Sequence, residues 1–239
     1  MTPLPSMAAV FRCGTGSRNI GPDVPPWIGW EDRFVSHNPS TDDDHGPSAT
    51  HDHGHSPATG QVADASARIA RSNDASAVAL VQAAVWRAAY ARLLPQEVLE
   101  QFEAANFARV WRSSLKTPPS RRHILLVGCA GEQVVGFAAV GPSIDPDATE
   151  TSGEVLALGV HPDARRSGHG SRLLNAAVDT LRGRGFDRMS LWLLAGDEHT
   201  RAFLMAAGLS PDGAYRDRVI DPDGTLAREV RLTAALSPQ

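Results

Sequence analysis

Two stretches of this 239-residue chain concentrate side chains able to do chemistry. The first is Glu154–Ser171, EVLALGVHPDARRSGHGS. Its apolar start predicts a strand ending at Val160. A short polar turn follows, and Arg165-Arg166-Ser167-Gly168-His169-Gly170-Ser171 opens a helix. The first turn of a helix carries N–H groups without intrahelical partners and the positive end of the dipole. Glycines let an anion approach those groups closely, and two arginines add charge. Hydrogen bonds to charged groups contribute roughly 1.5–3 kcal/mol each, so four or five would hold a diphosphate. The second stretch is His51-Asp52-His53-Gly54-His55, with Asp42-Asp43-Asp44-His45 upstream. Imidazoles and carboxylates at this spacing can take Zn²⁺ or Ni²⁺. They sit in a polar tail, which reads as weak adventitious binding, and no metal site is expected.

Three phosphate-binding patterns compete for the first stretch. A P-loop needs G-x-x-x-x-G-K-[ST], and no lysine is present there. A dinucleotide fingerprint needs a third glycine where Leu173 stands, and an acid ending the next strand, whereas Asp187 precedes it. The third pattern is R/Q-x-x-G-x-G/A after a strand ending in L-x-V. Leu158-Gly159-Val160 followed by Arg165-x-x-Gly168-x-Gly170 satisfies it.

The elements that must position these residues are legible from Ala67 onward. Ala67–Arg71 predicts a short strand. Asn73 or Asp74 caps a helix running to about residue 92, with Val78, Val81, Val85, Trp86 and Tyr90 on or near one side. Leu94-Pro95 breaks it, and a second helix spans about 95–113, its apolar side Val98, Leu99, Phe102 and Val110. His123–Cys129 and Gln133–Val140 form a hairpin, and Glu154–Val160 is a further strand. Gly168–Arg184 is a helix stopped by Gly185. Arg188–Leu194 is a strand and Asp197–Ala207 a helix closed by Gly208. Ala214–Asp221 and Thr225–Leu232 form a closing hairpin around Asp221-Pro222-Asp223-Gly224. The order β-α-α-β-β-β-α-β-α-β-β predicts a single α/β domain with one mixed sheet over residues 66–236.

Composition bounds the remainder. Residues 1–65 hold three arginines and eight acids, a net of −5, while residues 66–239 hold 20 bases and 19 acids, a net of +1. The first segment is rich in Pro, Gly, Ser, Asp and His and lacks helical or strand period. It predicts a disordered acidic extension, with Trp27, Ile28 and Trp30 as the exception. The chain's net charge of −4 argues against a general nucleic-acid binder. No apolar run approaches the ~18 residues of a membrane span. No secretory leader or lipid anchor is read at the N-terminus. Cys13 and Cys129 are too few and too far apart for a disulfide scaffold or a cysteine zinc site. Cys129 is expected to be buried, and a cytoplasmic location fits.

On VHPDARRSGHGSRLL (160–174), RAFLMAAGL (201–209), Trp86-x-x-x-Tyr90 with Leu93-Leu94-Pro95, and the element order, residues 67–232 resemble the GNAT acyltransferase superfamily. The resemblance implies acetyl-CoA as acyl donor, no metal, and an amine-bearing small molecule or protein as acceptor, in a monomer or homodimer. It implies a sheet splayed between strands 154–160 and 188–194, with the pantetheine arm in the gap. Leu158, Gly159, Val160, Arg165, Arg166, Ser167, Gly168, His169, Gly170 and Ser171 would bind the donor, with His169 at a variable, surface position. Backbone N–H groups near Val160 would polarise the thioester carbonyl. Trp86, Tyr90 and Leu93 would line the acceptor pocket. Glu154, read as sharing a strand face with Leu156, Leu158 and Val160, is the candidate base, and Asp197 is a second polar group near the cleft. Family members often carry a tyrosine acid where this chain has Leu204. Its absence keeps a non-catalytic acyl-CoA-binding regulatory module as the alternative to an N-acetyltransferase, with Tyr215 or a water as a substitute acid.

Overall fold

The computed structural model describes residues 65–220 and 225–236. The extension expected over 1–65, its aromatic and histidine clusters, and the turn at 221–224 fall almost wholly outside the described residues. Seven strands form one sheet: β1 (Ala65–Ile69), β2 (Ile124–Ala130), β3 (Gln133–Pro142), β4 (Ser152–Val160), β5 (Arg188–Leu194), β6 (Ser210–Val219) and β7 (Leu226–Ala235). Their spatial order is β1-β2-β3-β4-β5-β7-β6. Every neighbouring pair is antiparallel except β4 with β5. That parallel step follows from the crossover helix α4 (His169–Gly183) between those strands.

Two apolar clusters lie on the two faces of the sheet. On one face pack α1 (Ala75–Tyr90) and α3 (Ala104–Lys116). On the other, α4 and α5 (Glu198–Ala206) bury Leu173, Leu174, Ala177, Leu181 and Leu204. The approach of α4 depends on small residues in the sheet. A Cβ on Gly136 would stand 2.8 Å from Leu173 Cδ1 and 3.0 Å from the Gly159 carbonyl. Leu173 therefore rests on bare backbone of β3, which sets the height of the helix above the strands.

Where a single helix is expected over 95–113, the structure has two: α2 (Gln96–Leu99) and α3. Glu103 is extended (φ −84°, ψ 130°). The break turns Phe102 into an edge-to-face aromatic cluster with Trp86 and Tyr90, at centroid distances of 5.4 and 6.2 Å. Burying that ring outweighs one turn of helix. No helix of the described residues is long and apolar enough to cross a membrane. Cys129 is buried, as expected.

Candidate active site

β4 and β5 begin as paired strands and then part. They pair only from Ser152 with Arg188 to Glu154 with Ser190. Beyond that point β4 continues on β3 alone, and β5 on β7 alone. A wedge-shaped gap opens in the middle of the sheet, with Glu154 at its apex and Val160 at its wide end.

The wide end carries the predicted anion cradle. Pro162–Ala164 form a single 3-10 turn after β4, and α4 starts at His169. Gly168 is the N-cap, in the left-handed region at φ 79°, and no side chain caps the helix. Arg166 also has positive φ, 62°, a conformation that strains a non-glycine residue. Left-handed residues alternating with ordinary ones turn successive N–H groups into a concave surface, here continuous with the open first turn of α4. Arg166, Ser167, Gly168 and Ser171 are exposed there, and Gly170 is half-buried against Phe203 and Val160.

Arg165 behaves differently from Arg166. Its Nε donates to the Val160 carbonyl at 3.2 Å, and the guanidinium is partly buried. Burial holds it below the ordinary arginine pKa, opposed by the charge of Asp197 across the gap. Its Nη2 is buried with no hydrogen-bond partner among the described residues. Asp197 itself is buried and caps α5, accepting from the Thr200 N–H at 3.0 Å. Arg165 follows β4 and Asp197 follows β5, so the two flank the mouth of the wedge.

His169 departs from expectation. It is 4% exposed rather than a surface residue. It heads the buried stripe His169, Leu173, Ala177, Leu181, one residue per turn, and its Nδ1 has no partner among the described residues. Its N–H remains part of the cradle while its ring belongs to the core.

Glu154 is 1% exposed, and its face differs from the sequence reading. Pairing between β3 and β4 shifts register between Ala139 and Val140, skipping Leu156. This bulge reverses the alternation. Val155 packs in the same cluster as Leu158 and Val160, on the α4 face. A Cβ on Gly153 would meet Leu181 and Phe186 of that face too, so Glu154 points to the other side. There Ser143 Oγ donates to Glu154 Oε2 at 3.2 Å. Gly159, on the same face as Glu154, lies close to Phe137 and Val85.

Trp86 and Tyr90, read as acceptor-pocket residues, are buried against each other and against Phe102. Both rings serve the core under α1. Leu204 is fully buried among the residues of α4 and β5, and Tyr215 lies exposed on β6, stacked with Arg228.

The sequence reading missed a polar group beside the apex. Trp192 of β5, Arg231 of β7 and Asp145 of the β3–β4 loop contact one another. Farther along the same face, the buried Glu229 holds Arg216 at 2.6 Å and Arg218 at 3.1 Å. Nothing local marks these residues. They come from four separate segments. Among the described residues no cluster of His, Cys, Asp and Glu could hold a metal ion.

Comparison with known proteins bears on this geometry. Residues 83–209 match the profile of the Acetyltransferase (GNAT) family. The chain is 26% identical over 165 residues to an uncharacterized N-acetyltransferase, YuaI, of Bacillus subtilis, covering 69% of this chain and 90% of that protein. Its fold is similar to that of YncA from Salmonella typhimurium, solved with its cofactor acetyl-CoA. The TM-score is 0.56 at 17% identity, over 74% of this chain and 96% of that one. It is equally similar to the PaiA N-acetyltransferase of Thermoplasma acidophilum in complex with coenzyme A. There the TM-score is 0.56 at 16% identity, over 70% and 98%.

Proposed function

The chain belongs to the acetyltransferase (GNAT) family, and on that premise we propose that it transfers the acetyl group of acetyl-CoA to a primary amine of a small molecule or a protein. The observation that carries this reading is the uncapped, glycine-started N-terminus of α4 at the wide end of the β4–β5 gap.

The residues present fit the donor. A Cβ is missing at Gly168, and among the described residues the first turn of α4 has no side-chain cap and Arg165 Nη2 is buried without a partner. Each suits an anionic diphosphate. Acetyl-CoA supplies the thioester whose acyl carbon the amine attacks, with coenzyme A leaving as the thiolate. The chain's own part is threefold. The cradle from Arg165 to Ser171 holds the diphosphate. The backbone of β4 between Val155 and Val160, unpaired on its β5 side, receives the extended arm and offers N–H groups to the carbonyl oxygen. Glu154 takes the proton that the amine must lose. Leu204 offers no acid for the leaving thiolate. A thiol of pKa ~8.5 leaves as thiolate near neutral pH at small cost.

The buried Leu204 favours one second reading, an acyl-CoA-binding regulatory module without turnover. Calorimetry and turnover separate the two. Acetyl-CoA binds saturably to the wild-type chain, and Gly168→Trp with Gly170→Trp abolishes that binding. Absence of binding, or binding unchanged in the double variant, refutes the donor site. Coenzyme A release above the enzyme-free rate across a panel of amines, lost in Glu154→Gln, removes the regulatory reading.

A further inference from the structure

The carboxylate at the apex of the gap is linked, through hydrogen bonds joined by the backbone of Asp145, to a side chain two strands away. Arg231 of β7 is nearly buried, and three aspartates fix its guanidinium. Nη1 donates to Asp145 Oδ2 at 2.9 Å, and Nη1 and Nη2 donate to Asp147 at 2.7 and 2.6 Å. Nε donates to Asp212 Oδ2 of β6 at 2.8 Å. Trp192 Nε1 donates to both oxygens of Asp145 at 3.2 Å, and the Trp192 ring lies 5.5 Å from Arg231 Cζ and 4.4 Å from Arg216 Cζ. Asp145 and Asp147 belong to the loop joining β3 to β4, so this cluster ties that loop down onto β5 and β7.

The same loop carries Ser143. Its backbone N–H donates to the Ser152 carbonyl at 2.9 Å, placing it beside the start of β4. The Asp145 N–H donates to Ser143 Oγ at 3.3 Å. A hydroxyl has one hydrogen to give. With a lone pair of Oγ engaged by that N–H, the hydrogen turns toward Glu154 Oε2, 3.2 Å away. A charge-assisted bond of this kind is directional. It favours one orientation of the carboxylate about its broad terminal torsion.

We propose that Arg231 is a positioning residue for the acetyl transfer: through Asp145 and Ser143 it fixes the orientation of the Glu154 carboxylate toward the apex of the β4–β5 gap. The proposal rests on Glu154 acting as the base. The group is not required to hold the donor, because the cradle lies at the other end of β4. Its effect is therefore on the chemical step and not on acetyl-CoA affinity. A displacement near 1 Å of a reacting group can cost about a hundredfold in rate.

The test uses the full chain labelled with ¹³C at the glutamate carboxyls. The Glu154 resonance is assigned by its loss in Glu154→Gln. At fixed pH the resonance moves in Ser143→Ala, stays near its wild-type position in Ser143→Thr, and moves again in Arg231→Ala, although Arg231 does not touch Glu154. Asp145→Asn, which keeps the size of the side chain, gives a smaller movement and covers the case of an Arg231→Ala chain that does not fold. Acetyl-CoA binding by calorimetry stays within about twofold in each folded variant. With the most active amine of the panel, kcat falls about tenfold or more in Ser143→Ala and recovers in Ser143→Thr. A Glu154 resonance unmoved by Ser143→Ala, or by both Arg231→Ala and Asp145→Asn, overturns the positioning role. Glu154→Gln retaining full transfer instead overturns the base itself, and the resonance positions still decide whether the chain of bonds exists.

Discussion

The two ends of β4 are built in opposite ways. At its C-terminal end, the proposed donor cradle is made of the backbone of seven consecutive residues, Arg165–Ser171. At its N-terminal end, Glu154 depends on the β3–β4 loop and, through it, on β5, β6 and β7. A site made of contiguous backbone is largely determined by local conformational preference: a left-handed glycine, an uncapped helix start, a dipole. A site made of side chains from distant segments exists only when every segment is docked. On the proposed function the first holds the donor and the second orients the chemistry, so they should fail separately.

The largest expected effect breaks the first end alone. Gly168→Trp with Gly170→Trp fills the cradle and strains φ 79° at Gly168. Acetyl-CoA affinity by calorimetry falls at least about a hundredfold, the loss of several charge-assisted bonds, while the fold of the Glu154 region persists. Glu154→Gln is the mirror case. Its kcat falls about a hundredfold or more, the usual range for a general base, and acetyl-CoA binds as in the wild type. If either variant damages both quantities equally, the two ends are not independent. Arg165→Ala sharpens the boundary between them. It removes the bond to the Val160 carbonyl and the charge facing Asp197, and acetyl-CoA affinity drops about tenfold with kcat little changed.

The smallest effect concerns a residue outside both ends. His123 packs against Gly141 of β3, and Ser120 Oγ lies 2.8 Å from its Nδ1. Burial moves its pKa from 6.5 down to about 4. The unfolded chain therefore takes up this proton below pH 6.5 while the folded chain does not. Stability from this group is complete above pH 6.5 and is lost as pH falls from 6.5 toward 4. Allowing for partial solvent screening, the loss is about 1–2 kcal/mol. Urea midpoints at pH 7.5 and 4.5 measure it, and His123→Gln reduces the difference between them. Neither acetyl-CoA affinity nor kcat at pH 7.5 should change in that variant.

Trp86, His169 and Glu154 show where reading from the chain stops. Helical spacing puts Trp86 on the apolar side of α1, but cannot say whether that side meets a cleft or another aromatic ring. The ring of Phe102 decides it, and it arrives through a break in the second helix that periodicity does not register. His169 occupies a variable place in its motif, yet it stands eight residues, about two helical turns, before Ala177 in a buried stripe. The spacing of Leu173, Ala177 and Leu181 marks the stripe, and its extension by one turn toward the N-terminus reaches the histidine. Regular alternation puts Glu154 on the wrong face because a one-residue irregularity in a strand exchanges its two sides. No residue type at 155–157 announces that bulge. It is created by the pairing of β3 with β4.

The amino-acid sequence alone determined the order of the elements, the strand-to-helix turn after Val160 and the glycine-led start of α4. Each follows from the conformational preferences and apolar spacing of neighbouring residues. Only the tertiary structure decided which face Glu154 presents, that Arg231, Asp145 and Ser143 stand in line behind it, and that Arg165 and Asp197 flank the mouth of one gap. Those relations join residues up to 86 positions apart, and contacts at that range are set by how strands pair and diverge, which no local preference encodes.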